Sequence, residues 1–222
     1  MTRADESPRS GPPSPFAGVP MHPGEDLVAA GGVLGPALVL EAYRHGIFPW
    51  YDVDDPVLWW SPDPRAILPL EAVHVPRRLE RTIASAGFRL SRNEAFGAVV
   101  AACDERRPDG TWIHAAMQAC YGALHGEGHA HSLEVWQGEA LVGGIYGVAF
   151  GAGFAAESMF HRVRDASKVA LVSLVRHLRA QGFALLDVQF MTEHLAQFGC
   201  VEIPREDYLQ RVAAVRDRDV RF

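Results

Sequence analysis

The sequence predicts an α+β protein, with a small N-terminal domain ahead of a larger one built on a central, mainly antiparallel sheet. Three observations carry that prediction. The apolar stretches "HSLEVWQ", "ALVGGIYGVAF" and "FAAESMF" follow one another with only Gly-Glu and Gly-Ala-Gly turns between them, the pattern of a meander. A helical repeat, "SKVALVSLVRHLRAQ", then ends at Gly182 and leads straight into another strand, "FALLDVQF". Well ahead of both, "IFPWYDVDDPVLWWSPDPR" gathers Trp50, Trp59 and Trp60 among four prolines, which exclude a central strand or a helix interior.

The first 24 residues hold six of the chain's 15 prolines and almost nothing to bury, so they read as a disordered or extended arm. Residues 25–65 form the small N-terminal domain and its proline-rich linker. There "GPALVLEAYRHG" is a short helix, with Pro36 at its first position and Gly46 just past its end. The larger domain covers 66–222. It opens with a strand, "AILPLEAVHV", and a helix, "PRRLERTIASAG", closed by Gly87. "NEAFGAVVAACDE" is a helix capped by Asn93, with Phe96, Val99, Val100 and Cys103 along one side. Asp109 to Thr111 is a turn, and "HAAMQACYGALHGEG" is one more helix before the meander.

With 48% hydrophobic and 22% charged residues, the 222-residue chain can build a core without disulfides or metal. No apolar run is long enough to cross a bilayer, and the N-terminus has no apolar signal region. Cys103, Cys120 and Cys200 lie far apart without a C-x-x-C pair, which argues against a zinc ribbon and suits a reducing cytosol. A net charge of −6 excludes general attraction to nucleic acid, so any such contact needs a local basic patch. The stretch Arg65 to Arg92 supplies one, six arginines against Glu71 and Glu80. Arg77 and Arg81 share a helix face with Arg78 beside them, either a phosphate contact or an ordinary solvated face.

The sharpest chemical signal is "FALLDVQF". Asp187 and Gln189 sit two apart and project from one face of an apolar strand, where an unpaired acid is costly. Glu157 interrupts "FAAESMF" in the same way. If the two strands are neighbours, the carboxylates converge on one site able to hold a cationic amine or take its proton. The plainer reading leaves each as a solvated strand-face residue. In the loop "HRVRDASK", Arg162, Arg164, Ser167 and Lys168 face an anion or simply begin a charged helix; no glycine-rich phosphate cradle accompanies them. His125, His129 and His131 lack metal-ligand spacing, and no G-x-S-x-G is present, so neither a metal site nor a hydrolase elbow is expected.

The segments "EAYRHGIFPW", "LWWSPDPRAIL", "GTWI", "HGEGHAHSLEVW", "LVGGIYGVAFG", "ESMFHRVRDASKVAL", "LLDVQF" and "GCVEIPREDYL" run in order through nearly the whole chain. Together they closely resemble the bacterial leucyl/phenylalanyl-tRNA–protein transferases. The resemblance implies a large domain like that of the N-acetyltransferases (GNAT fold). It implies transfer of Leu or Phe, Met less well, from aminoacyl-tRNA to the α-amine of proteins beginning with Arg or Lys, marking them for degradation. No cofactor is implied, and the expected state is a cytoplasmic monomer.

By the same resemblance, Asp187 orients and deprotonates the amine, Gln189 hydrogen-bonds within the reacting group, and Glu157 lines the pocket. Ile145, Phe154, Met159, Leu174 and Leu186 surround the aminoacyl side chain. Trp50, supported by Tyr43, Trp112 and Tyr121, stacks on the terminal adenosine, while Trp59 and Trp60 wedge the domains together. Arg77, Arg78 and Arg81 meet tRNA phosphates. Ile145 and Leu174 stand where members often carry larger or softer residues, which points to Leu-tRNA being used at least as well as Phe-tRNA. Thr192 replaces an Asn common in the family. Two rivals share these features: an acyl-CoA-dependent acetyltransferase, against which the missing pyrophosphate loop counts, and a non-catalytic module binding the tRNA acceptor end.

Overall fold

The prolines that exclude a long strand from the N-terminal segment leave room for three short ones. In the computed structural model, which describes residues 14–105 and 111–222, they are β1 (Leu27–Ala30), β2 (Phe48–Pro49) and β3 (Leu58–Trp60), in the order β1-β3-β2. Helix α1 (Pro36–Arg44) starts at Pro36, as its fixed φ favours, and buries Val39, Ala42 and Tyr43. Most of the proline-rich arm (1–13) lies outside the described residues, but Phe16 is buried edge-on to Trp59, their ring centroids 5.0 Å apart.

A second sheet has seven strands among the described residues. They are β4 (Arg65–Ile67), β5 (Arg89–Arg92), β6 (Ala130–Gln137), β7 (Ala140–Phe150), β8 (Gly153–His161), β9 (Leu185–Gln189) and β10 (Val201–Ile203), in the order β10-β4-β9-β8-β7-β6-β5. Every pairing is antiparallel except β8 with β9, which α5 (Ala166–Gln181) connects as a crossover. The α+β class and the meander are therefore as expected. Helix α5 lies over one face and buries Leu171, Leu174, Val175 and Leu178; α3 (Phe96–Asp104) and α4 (Ala115–Gly126) cover the other.

The expected strand "AILPLEAVHV" stops at Ile67, because Pro69 has no N–H for a ladder and a 3-10 turn begins at Leu70. Helix α2 (Arg77–Ser85) follows. Asn93 does not cap α3: it takes a positive φ of 59°, its side-chain oxygen accepts the Ser132 N–H, and the helix begins three residues later. The Asp109–Thr111 turn falls partly outside the described residues.

The chain closes with a short helix, α6 (Glu193–Ala196), then β10 and α7 (Arg205–Val215). Thr192 caps α6 through its hydroxyl, which accepts the Leu195 N–H. At the start of α7, the buried Arg205 donates to the carbonyls of Glu25 and Ser61, each at 2.7 Å, and of His22 at 2.6 Å. Asp63 accepts its backbone N–H, so the last helix fastens the approach to the small sheet.

Candidate active site

Strands β8 and β9 pair from Gly153 opposite Leu185 to Ala155 opposite Asp187, and there the register ends. On its other edge β8 carries a bulge. Tyr146 faces Ser158 and Gly147 faces Ala156, which leaves Glu157 as the extra residue. A bulge bends its strand and re-aims a side chain. Gly147 permits it, since a Cβ there would lie 2.1 Å from the Ala155 carbonyl oxygen. Beyond this point the strands part and a cleft of about 770 Å³ opens between them.

Glu157 lines that cleft with Gln189 opposite. The Gln189 amide donates to Glu157 Oε1 at 3.2 Å, and the Tyr121 hydroxyl donates to Oε2 at 2.9 Å. Behind it the Tyr43 hydroxyl meets that of Tyr121 at 3.1 Å. Burial raises the Glu157 carboxyl to about 7, against the two tyrosine hydroxyls, which hold it down. Burial first, and then the neighbouring Glu157 charge, push both tyrosines well above their usual range.

Gln189 has a φ of 58°, a conformation costly for a residue with a side chain. Its own N–H donates to Asp187 Oδ1 at 3.0 Å, and the next N–H, of Phe190, turns back to the Val188 carbonyl at 2.7 Å. Asp187 itself does not reach the cleft. It is fully enclosed and bound by Arg65 through Nε at 2.8 Å and Nη2 at 2.6 Å, with the Tyr208 hydroxyl at 2.9 Å. The Arg65 guanidinium lies over the rings of Phe48 and Tyr208, at 4.7 and 4.5 Å. Burial works against its charge, but Asp187 and Tyr208 outweigh that and raise its pKa.

At one end the cleft is apolar, lined by Ile145, Ala156, Met159, Leu171, Val188 and Leu195. Phe154, Leu174 and Leu186, expected at the pocket surface, sit one layer behind it in the core beneath α5. The mouth is aromatic. Trp50, 41% exposed, and Trp112 face the cleft, and Phe190, 39% exposed, packs 5.6 Å from Trp50. Tyr43 and Tyr121 have no ring face open to a base; their hydroxyls serve Glu157 instead. Trp59 is buried and donates to the Gly31 carbonyl, whereas Trp60 donates to the Trp50 carbonyl at 2.6 Å and props that residue from behind.

The rim at the start of α5 is polar, formed by His161, Arg164, Ser167 and Lys168. Arg162 turns away to pair with Glu105. Arg77, Arg78 and Arg81 are exposed on α2 and make no ion pair among the described residues. Sequence reasoning missed Arg65 and Tyr208. Their signals, an arginine just after two prolines and a tyrosine within "GCVEIPREDYL", do not show that they meet.

Residues 67–213 match the family described as leucyl/phenylalanyl-tRNA protein transferase, and residues 32–63 match its N-terminal domain. A leucyl/phenylalanyl-tRNA–protein transferase of Nitratidesulfovibrio vulgaris (strain DP4) is 53% identical over 188 residues, 83% of this chain and 80% of that one. One from Anaeromyxobacter sp. (strain K) is 52% identical over 192 residues, covering 85% and 82%. Among solved structures, FemX gives a TM-score of 0.49 at 13% identity, over 68% of this chain and 65% of that one. A GCN5-related N-acetyltransferase from Kribbella flavida gives 0.40 at 11% identity, over 75% and 60%.

Proposed function

The chain belongs to the leucyl/phenylalanyl-tRNA protein transferase family, aminoacyltransferases that act from tRNA onto protein, and we propose that it moves Leu or Phe, Met less well, to the N-terminal α-amine of proteins beginning with Arg or Lys. The product's new N-terminus marks it for degradation in the cytoplasm. The observation that carries this reading is the placement of Glu157, raised to about 7, between an apolar pocket and an exposed tryptophan. Those three features suit an amine, an aliphatic or aromatic side chain and an adenine.

An aminoacyl ester is already activated, so the enzyme's task is to position it and manage one proton. An α-ammonium cannot attack; it first loses one proton to solvent, and the neutral amine that remains faces the Glu157 carboxylate beside Gln189. The freed nitrogen attacks the ester carbonyl carbon. As the peptide bond forms, Glu157 takes the nitrogen's second proton, the bond to the ribose oxygen breaks, and that oxygen receives the proton from Glu157. Gln189 holds Glu157 in place and offers its amide oxygen to the amine. Asp187, enclosed by Arg65, acts as a positioning residue: its carboxylate fixes the backbone of Gln189 in an unfavourable conformation. That burial favours anchor over base for Asp187.

Ile145 and Met159 contact the aminoacyl side chain, with Phe154, Leu174 and Leu186 setting the wall's shape from behind. Trp50 stacks on adenosine beside Trp112, and Arg77, Arg78 and Arg81 meet phosphates. The direct test is transfer of labelled Leu from tRNA to an Arg-starting peptide, with Asp- and Glu-starting peptides and acetyl-CoA as comparisons. Transfer confined to Arg and Lys acceptors is expected. Acetylation instead, or an equal rate on acidic acceptors, would overturn the reading.

A further inference from the structure

A second hollow, of about 120 Å³, lies beside the cleft and shares its rim. Arg164, Asp165 and Lys168 line both. Its far side is Pro76, Arg78 and Leu79 at the start of α2, with Gln197 and Phe198 beyond α6. Three cations from three separate elements thus face one small space: Arg78 from α2, Arg164 from the β8–α5 loop and Lys168 from α5.

Asp165 is the one acid lining the hollow among the described residues, against three cations. Its oxygens stand 3.8 Å from Arg164 Nε and from Lys168 Nζ, beyond good hydrogen-bond length, and the Arg164 side chain is 75% exposed. Arg78 makes no ion pair among the described residues, unlike Glu80 two residues on, which Arg176 engages. The hollow is therefore a local surplus of positive charge on a chain of net charge −6. Such a surplus on an acidic surface is the footprint of a phosphate contact. Its walls Pro76, Leu79 and Phe198 are apolar, so the three converging cations are what would hold a ligand there.

We propose that this hollow holds a phosphate of the donor's acceptor strand, so that the strand leaves the cleft between the start of α2 and the start of α5. The inference rests on the reading of the donor as aminoacyl-tRNA. It separates the α2 arginines, because Arg78 lines the hollow while Arg77 and Arg81 do not.

The experiment is binding of leucyl-tRNA without acceptor peptide to the full chain, across a salt series, for wild type, Arg78→Glu, Arg164→Glu and Arg211→Glu. Arg211 is exposed on α7 and controls for net charge. The first two variants are expected to weaken Kd about five- to tenfold and lower the log–log salt slope by about 0.7, with the control within twofold of wild type. An unchanged Kd for both hollow variants, or an equal loss for Arg211→Glu, would overturn the subsite. A failure of the functional reading looks different: tRNA binding stays sensitive to Arg78 and Arg164, but no Leu reaches any peptide.

Discussion

The carboxylate of Asp187 and the guanidinium of Arg65 meet as a bidentate pair, at 2.8 and 2.6 Å, with neither side chain exposed. One partner starts β4 and the other lies mid-strand in β9, its neighbour in the seven-stranded sheet, so the pair ties two adjacent strands together behind the cleft. Asp187 also accepts the Gln189 N–H, which carries that order to the cleft wall.

Removing one partner leaves the other charge buried without compensation. Asp187→Ala and Arg65→Ala should each lose about 3–5 kcal/mol in urea unfolding. A loss below about 1 kcal/mol in both would show that the pair contributes little to the fold and return Asp187 to the list of direct participants.

Glu157 sets a pH dependence for transfer. Because its carboxyl is raised to about 7, transfer should climb as pH rises through that value and level off above it. Glu157→Gln should lower the rate by about 10²–10⁴ and abolish the inflection. A variant that keeps the inflection would assign it to another group.

The same group acts on stability with the opposite slope. The folded state holds the Glu157 proton more tightly than the unfolded chain, whose value is near 4.5, so stability is lost as pH rises from there to about 7. Unfolding free energies from urea titrations at pH 5 and pH 8 should differ in wild type by up to about 1.4 kcal/mol per pH unit across that window, and the difference should shrink in Glu157→Gln.

Gly147→Ala tests the bulge. A methyl group 2.1 Å from the Ala155 oxygen forces β7 and β8 apart, so thermal stability should fall by about 1–3 kcal/mol and activity with it. Full activity in that variant would mean that the bulge is not what aims Glu157.

The tryptophans should separate by role. Trp50→Ala should fold normally and raise KM for aminoacyl-tRNA, stacking being worth about 1–3 kcal/mol per base. Trp60→Phe, which removes the N–H bound to the Trp50 carbonyl, should show a weaker form of the same effect. Trp59→Ala should instead unfold the chain at lower urea, because its ring is buried. In a charged-tRNA competition, Leu is expected to be used at least as well as Phe, and a clear Phe preference would contradict the reading of Ile145.

What sequence made legible here is periodic. Alternation and turns placed β6, β7 and β8, the 3.6 repeat placed α5, and an acid amid Leu185, Leu186 and Val188 marked β9. Strand β5 escaped because "RLSR" is largely solvated and offers no apolar face to read. The roles within the site were less visible, since they depend on register. Whether an acid two residues from Gln189 faces the cleft or a buried arginine is decided by Arg65, 122 residues away in the chain. Tyr43 and Tyr121 read as stacking rings, and only their depth turns them into hydroxyl donors for Glu157.

Arg205 has a consequence for how the protein is made. The small sheet leaves the ribosome first, yet the guanidinium that caps the carbonyls of His22, Glu25 and Ser61 is synthesised some 140 residues after the last of them. A nascent chain stopped before that residue holds its Trp50 platform on an unfastened base. The N-terminal segment therefore gains its buried clamp only once α7 has been made.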